Sequence, residues 1–206
     1  MATLSQAKTL GGIGSLLIIL TVVPTAGAIL GIVGFILVLL AVKNISDAVG
    51  DSSIFTNTII SAVLAIIGVV VGAIVVFASF LSFVGLGALA PGFSGPLTPG
   101  ALTTGGIVGL IVGLILGLAV IWILLIVSAF FLRKSYNTIA TKLGVGMFGT
   151  AALLYLIGAI LTIILVGFIV IFVAGILQLI AFFSIPDQLP VSAAPPTQSA
   201  PTTPTS

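Results

Sequence analysis

Apolar residues run along this chain in long blocks, separated by a few short polar stretches. Residues 1–9 (MATLSQAKT) lead into a first block, Leu10 to Val23, which stops at Pro24. A second block runs from Ala26 to Val42 and ends at the charged connector Lys43–Ser53 (KNISDAVGDSS). The third, Ile54 to Val84, is followed by an uncharged loop rich in Gly and Pro, Gly85–Thr104. The fourth runs from Gly105 to Leu132 and meets a second charged connector, Arg133–Lys142 (RKSYNTIATK). Gly144–Leu165 and Gly167–Phe183 close the series, with a turn expected near Gly167 and an end at Pro186 and Asp187. Blocks of this length read as helices, and about 20 apolar residues cross the ~30 Å hydrocarbon core of a bilayer.

The lengths are uneven. The first block rises only about 21 Å as a helix. Starting it near Ser5 makes it long enough, with Lys8 reaching back to the headgroups. The third rises about 46 Å and must tilt, kink or project. The expected fold is an all-α membrane protein of about six transmembrane helices: short hairpin, long central pair, short hairpin. Residues 1–187 form one polytopic transmembrane domain. Residues 188–206 are a tail rich in Pro, Ser and Thr, without the apolar residues to fold, and are expected to be disordered. The N-terminus has a rival reading. Lys8, the apolar core Ile13–Val23, Pro24 and the small residues Ala26-Gly27-Ala28 resemble a secretory signal with its cleavage site. Against that, another apolar block follows at once, so an uncleaved hairpin is expected.

Composition excludes most other classes. The chain is 60% hydrophobic and 4% charged, with a mean hydropathy of +1.53. A soluble domain carries about 25% charged residues, so this chain has too few to cover itself in water. The net charge of +2 rests on eight ionisable side chains and is no footprint for nucleic acid. There is no Cys, no His and no Glu, which removes disulfides, thiolate metal sites and the usual zinc ligands. With six spans, all five basic residues (Lys8, Lys43, Arg133, Lys134, Lys142) fall on one face of the membrane. Asp47, Asp51 and Asp187 fall there too, and the opposite face is uncharged. The positive-inside rule then puts both termini in the cytoplasm. Lys43, Arg133, Lys134 and Lys142 set this topology and stand where anionic headgroups are met.

Glycine recurs every fourth residue in the fourth block, at Gly105, Gly109, Gly113 and Gly117. Steps of four advance about 400°, so the strip stays on one helix face over three turns. Such a strip lets another backbone come close in lipid. The expected partner is the third block, where Gly68 and Gly72 repeat the spacing. The strongest polar group inside the spans is Gln178; Thr21, Trp122, Ser128, Thr150, Tyr155 and Thr162 are weaker. Gln178 is expected to hydrogen-bond a neighbouring helix rather than line a polar path.

Catalytic chemistry finds little to use. Asp47 and Asp51 are four residues apart, but Asp51, Ser52 and Ser53 read as the N-terminal cap of the next helix. Gly50-Asp51 lacks the first glycine of the intramembrane aspartyl protease element, and no second intramembrane Asp exists. Nucleophile–base pairs of the usual kinds are absent. The chain is therefore expected to be no enzyme and to need no cofactor and no metal.

Two further patterns stand out. Ala7-Lys8-Thr9-Leu10-Gly11 echoes Ala140-Thr141-Lys142-Leu143-Gly144, and Leu39-Leu40-Ala41 through Ile45 and Asp47 echoes Leu179-Ile180-Ala181 through Ile185 and Asp187. Duplicated hairpins entering from one side would form a parallel repeat. The opening Leu4-Ser5-Gln6-Ala7-Lys8-Thr9-Leu10-Gly11-Gly12 and the hairpin with Gly31, Gly34 and Phe35 before Ala41-Val42-Lys43 carry a resemblance. They resemble an uncharacterised, mostly archaeal family of integral membrane proteins, domain-of-unknown-function family 996, over roughly residues 1–185. The resemblance implies a multi-spanning fold and an archaeal plasma membrane, and supplies no activity or site residues. The functional expectation is a non-catalytic membrane protein that packs with itself, as a homo-oligomer, or with a membrane protein partner in the lipid bilayer. The alternative is a small transporter or channel for an uncharged or weakly polar solute. A stripe of Gln178, Tyr155 and the threonines along a cavity would favour transport; the same groups in closed helix contacts would favour packing.

Overall fold

The computed structural model describes residues 4–23, 26–84 and 104–189. They form six α-helices and, among the described residues, no strand. The helices are α1 (Leu4–Ile19), α2 (Gly27–Val49), α3 (Ser52–Val84), α4 (Thr104–Leu143), α5 (Gly146–Leu161) and α6 (Val166–Phe183). One-turn 3₁₀ segments, Leu20–Val22 and Thr162–Ile164, extend α1 and α5. Counting those turns, all six are long and apolar enough to cross a membrane. The helices α3 and α4, of 33 and 40 residues, form the long central pair, and each runs as one helix. The uncharged loop at 85–103 and the tail at 190–206 lie outside the described residues.

Three boundaries differ from the sequence reading. The charged stretch Arg133–Lys142 is no connector but the last turns of α4, and Lys43–Val49 continues α2. Both stretches keep apolar residues at helical spacing: Tyr136, Ile139 and Leu143 on α4 and Val42 and Ile45 on α2 are buried. That buried stripe extends the helix past the charges. The third boundary is the turn between α5 and α6. It falls at Leu165, which adopts the left-handed region at φ 64°, and Gly167 is already helical. At the charged ends the stops are as the residues dictate. Gly50, at φ 71°, closes α2 by donating its N–H to the Ser46 carbonyl. Asp51 caps α3, accepting from the Ser53 N–H at 3.0 Å and the Ser53 hydroxyl at 2.6 Å.

Each helix packs on its chain neighbours, and α1 returns to α6, so the six close a ring. Three hairpins alternate with three hairpin-to-hairpin contacts around it. Buried positions recur in the same way. On the first helix of each hairpin they are Leu4, Ile54 and Val145; Ala7, Asn57 and Phe148; Gly11, Ser61 and Ala152. On the second they are Ala41, Ser135 and Ala181; Val42, Tyr136 and Phe182; Ile45, Ile139 and, just past the end of α6, Ile185. Of the echo of Leu39–Asp47 in Leu179–Asp187, Ile185 and Asp187 lie past the end of α6, while Leu39–Ala41 and Leu179–Ala181 lie on matching turns of α2 and α6. The echo of Ala7–Gly11 in Ala140–Gly144 does not: the first lies inside α1 and the second at the end of α4. The repeat is threefold, with α3–α4 as the elongated member.

The core sits at the charged end of the ring. Tyr136 meets Phe148 edge-on at 5.5 Å between ring centres, and Phe148 meets Phe182 at 5.0 Å. Such pairs contribute about 0.5–1.5 kcal/mol beyond their buried area. Ile45, Ile54, Ile139 and Ile185 surround them, all essentially inaccessible.

Candidate helix-packing site

Each hairpin is closed by a pair of glycines set backbone to backbone. On α1–α2 a Cβ on Gly14 would lie 2.7 Å from the Gly34 carbonyl oxygen, and one on Gly34 would lie 2.6 Å from that of Gly14. On α3–α4 a Cβ on Gly72 would lie 2.9 Å from the Gly117 oxygen, and one on Gly117 would lie 3.0 Å from the Gly72 oxygen. On α5–α6 a Cβ on Gly158 would lie 3.1 Å from the Gly167 oxygen. Backbone cannot move aside as a side-chain tip can, so these positions accept glycine alone without shifting a helix.

The four-residue glycine strip of α4 is used in part. Gly117 faces Gly72, and Gly113 faces the Ser79 side chain. Gly68 faces Leu124, whose Cβ a methyl would approach to 2.8 Å. At Gly109 no described atom lies within 4 Å of where its Cβ would be; the strip turns by about 40° per step, so it drifts across the α3 face along α4. The surroundings of Gly105 lie outside the described residues.

Below the glycines, α3 and α4 are joined by hydroxyls. Thr58 Oγ1 and Ser135 Oγ lie 2.8 Å apart, and both reach the Ile54 carbonyl, at 3.0 and 2.8 Å. Ser61 and Ser128 hydroxyls lie 3.0 Å apart, and Ser128 donates to the Ser61 carbonyl at 2.8 Å. All four side chains are buried. Thr58, Ser61 and Ser135 were not among the residues the sequence singled out. Their spacing carried a signal: Thr58 and Ser61 are three apart, Ser128 and Ser135 seven, so each pair shares a helix face.

Gln178 on α6 donates from Nε2 to the Ser15 hydroxyl of α1 at 2.9 Å, and both residues are buried. The weaker polar groups also find partners within the protein. Thr21, Thr150 and Thr162 donate to carbonyls of their own helices, those of Ile18, Gly146 and Ala159. Trp122 donates from Nε1 to the Ile160 carbonyl at 3.2 Å, tying α4 to the end of α5. The Tyr155 hydroxyl lies against Gly175, 3.6 Å from where its Cβ would be. Among the described residues these groups point to separate partners.

The charged residues gather at the opposite end from the hairpin turns. Lys43, Lys134 and Lys142 are exposed and Arg133 is partly covered. Lys8 pairs with Asp187 at 3.8 Å, which sets the two ends of the described chain side by side. Asp51 is held below the usual carboxylate range, first by the Ser53 hydroxyl, then by the Ser53 N–H, with a smaller pull from Lys142. Asp47 is exposed on α2 and takes no part in that cap. Among the described residues no three His, Cys, Asp or Glu side chains come together as a metal site would need.

The comparisons with known proteins agree on one family. The chain matches the family described as "Protein of unknown function (DUF996)" over residues 30–176. That range omits the opening Leu4–Gly12 that carried part of the sequence resemblance. It is also 39% identical over 187 residues to the uncharacterized protein MJ1644 of Methanocaldococcus jannaschii, covering 90% of this chain and 95% of that one. No solved structure matches. A match of that extent and a relative of that identity place the chain in one family: it belongs to DUF996, a family of proteins of unknown function.

Proposed function

We propose that the chain is a non-catalytic integral membrane protein, whose work is to hold a packed helical body in the plasma membrane against a second copy or another membrane protein. The membrane reading is supported by the outward surface. Ile66, Ile74, Phe77, Ile111, Ile115 and Leu118 are all at least half exposed. Leaving such a side chain half in water forgoes about half of the 1.5–3 kcal/mol that full removal from water gives, whereas lipid covers it. The orientation reading is supported by the gathering of all five basic side chains at one end. There Lys43, Arg133, Lys134 and Lys142 meet headgroups.

The observation that carries the choice between packing and transport is the bond from Gln178 to Ser15. The strongest polar side chain within the spans is spent joining the first helix to the last. The threonines are turned onto their own backbones and Trp122 onto a neighbour. Solute-coupled carriers keep polar or charged groups facing a path. The test is a pull-down from membranes in mild detergent, with mass spectrometry of bound proteins and lipids, beside a solute-flux assay of the reconstituted chain. Recovery of a fixed partner or of the chain's own oligomer, with flux equal to that of empty vesicles, is the expected result. Flux abolished by Gln178→Leu would overturn the reading.

A further inference from the structure

We propose that the outer groove between α3 and α4, at the charged end, holds the phosphate of an anionic lipid headgroup on Lys134, Lys142 and the Asn57 amide. The proposal rests on the membrane reading above and adds to it one class of lipid and its site.

Two contacts define the groove. Thr58 faces Ser135 at 2.8 Å, and Ser61 faces Ser128 at 3.0 Å. In an antiparallel pair, the residues just before two facing positions lie on one flank of the contact, and those just after lie on the other. Asn57 and Lys134 precede the first pair; Ile60 and Val127 precede the second. Two steps of four from Lys134 reach Lys142, and one step of three back reaches Phe131, so both share its face of α4. Tyr136, one place after Ser135, lies on the other flank and meets Phe148 in the core. Val127, Lys134 and Lys142 are exposed, so the flank with Asn57 looks outwards.

Asn57 is what points to a ligand. It is only 7% exposed, and among the described residues its amide has no hydrogen-bond partner. No fully enclosed side-chain nitrogen or oxygen among those residues lacks a partner, so the little of Asn57 that stays accessible includes the amide. Leaving such an amide unpaired is unfavourable, and a phosphate oxygen accepts from it. Helix side chains lean towards their own N-terminus. On antiparallel helices Asn57 therefore leans towards the charged end and Lys142 away from it, and the two converge. Lys142 pulls on the Asp51 carboxyl, which places it beside the start of α3. Asp51 spends its carboxylate on Ser53, and among the described residues neither lysine has an ion-pair partner. Beyond the polar groups, Ile60, Val127 and Phe131 continue the groove as an apolar lane. An acyl chain fits that lane and a free phosphate has no use for it, which assigns the phosphate to a lipid.

The test is native mass spectrometry of the full chain in detergent, titrated with phosphatidylglycerol or with phosphatidylcholine. The wild-type chain is expected to hold phosphatidylglycerol the more tightly. Asn57→Leu and Lys142→Gln should each weaken phosphatidylglycerol binding about fivefold or more and leave phosphatidylcholine binding unchanged. Lys43→Gln, on α2, should change it by less than about twofold. Equal losses at Lys43, Asn57 and Lys142 would mean general attraction to the basic end and overturn the site. So would unchanged binding in Lys142→Gln, whose exposed side chain can be replaced without touching the core. Displacement of phosphatidylglycerol by inorganic phosphate would give the groove to the free ion and overturn the lipid. A wild-type chain that stays soluble without detergent and holds neither lipid overturns the membrane reading itself.

Discussion

Ser15 and Gln178 lie 163 positions apart in the chain and 2.9 Å apart in the fold. Their bond is a buried polar link across the seam where the first helix meets the last and the ring closes. It makes one side chain on each hairpin answerable for the same contact.

The first prediction follows from that bond. Gln178→Leu keeps the volume and removes the donor; Ser15→Ala removes the acceptor. Interhelical bonds of this kind average about 0.6 kcal/mol and reach ~1.7 in double-mutant cycles. A cycle on the two sites, read by thermal unfolding in detergent, is expected to show a coupling in that range. Additive effects would mean that the contact holds nothing.

The glycine pairs predict a graded series along α4. Gly117→Leu and Gly72→Leu drive a side chain into opposing backbone and are expected to destabilise by roughly 1–3 kcal/mol, as overpacking does. Gly113→Leu meets the Ser79 side chain and should fall within the same range or just below it. Gly109→Leu meets no described atom and should change stability by less than about 0.5 kcal/mol. Unfolding midpoints in detergent check the order; a cost at Gly109 equal to that at Gly117 would contradict it.

Much of the fold was legible because apolar block length and basic charge are coarse signals that lipid reads in the same way. The six helices, the long central pair and the capping role of Asp51 follow from them. The finer registers were not. The run Arg133–Lys142 was taken for a connector because its charges masked the buried stripe Tyr136, Ile139 and Leu143. The third hairpin of the repeat was hidden because Ser135 and Tyr136 occupy the positions that Ala41 and Val42 fill in the first, so geometry recurs where residue identity does not. The hydroxyl seam on α3 and α4 escaped notice because a serine in an apolar run reads as tolerated rather than paired. For Gln178 the residue was visible in the sequence, and its partner Ser15 was not.

The aromatic chain gives a third prediction. Phe148 is fully buried between Tyr136 and Phe182, one ring from each neighbouring helix. Phe148→Ala is expected to cost about 3–5 kcal/mol, the range for large aromatic truncations in cores. Phe168→Ala, at a residue 61% exposed on the outward face of α6, should leave the detergent-solubilised chain nearly unchanged. Equal losses at the two would show that the core does not sit at the charged end.

Asp51 predicts a pH dependence. Its carboxyl is held below the usual range by the Ser53 hydroxyl and N–H. The cap therefore contributes fully above the carboxylate's ordinary value and is lost as pH falls through the lowered folded value. The melting temperature of the wild-type chain should drop over that acid window. Asp51→Ala should start lower at pH 7 and show a shallower acid drop. An unchanged acid profile in Asp51→Ala would contradict this role for the cap.

Every part of this account depends on the chain lying in a membrane with both ends on the cytoplasmic side. Labelling of single cysteines in intact cells with an impermeant thiol reagent tests that directly, since the chain has no cysteine of its own. Asn137→Cys, on the exposed face of the α4 extension, and Ser199→Cys should be shielded until the cells are opened. Ser94→Cys, in the uncharged loop between α3 and α4, should react from outside. Labelling of Ser199→Cys in intact cells would leave an odd number of crossings and contradict the account.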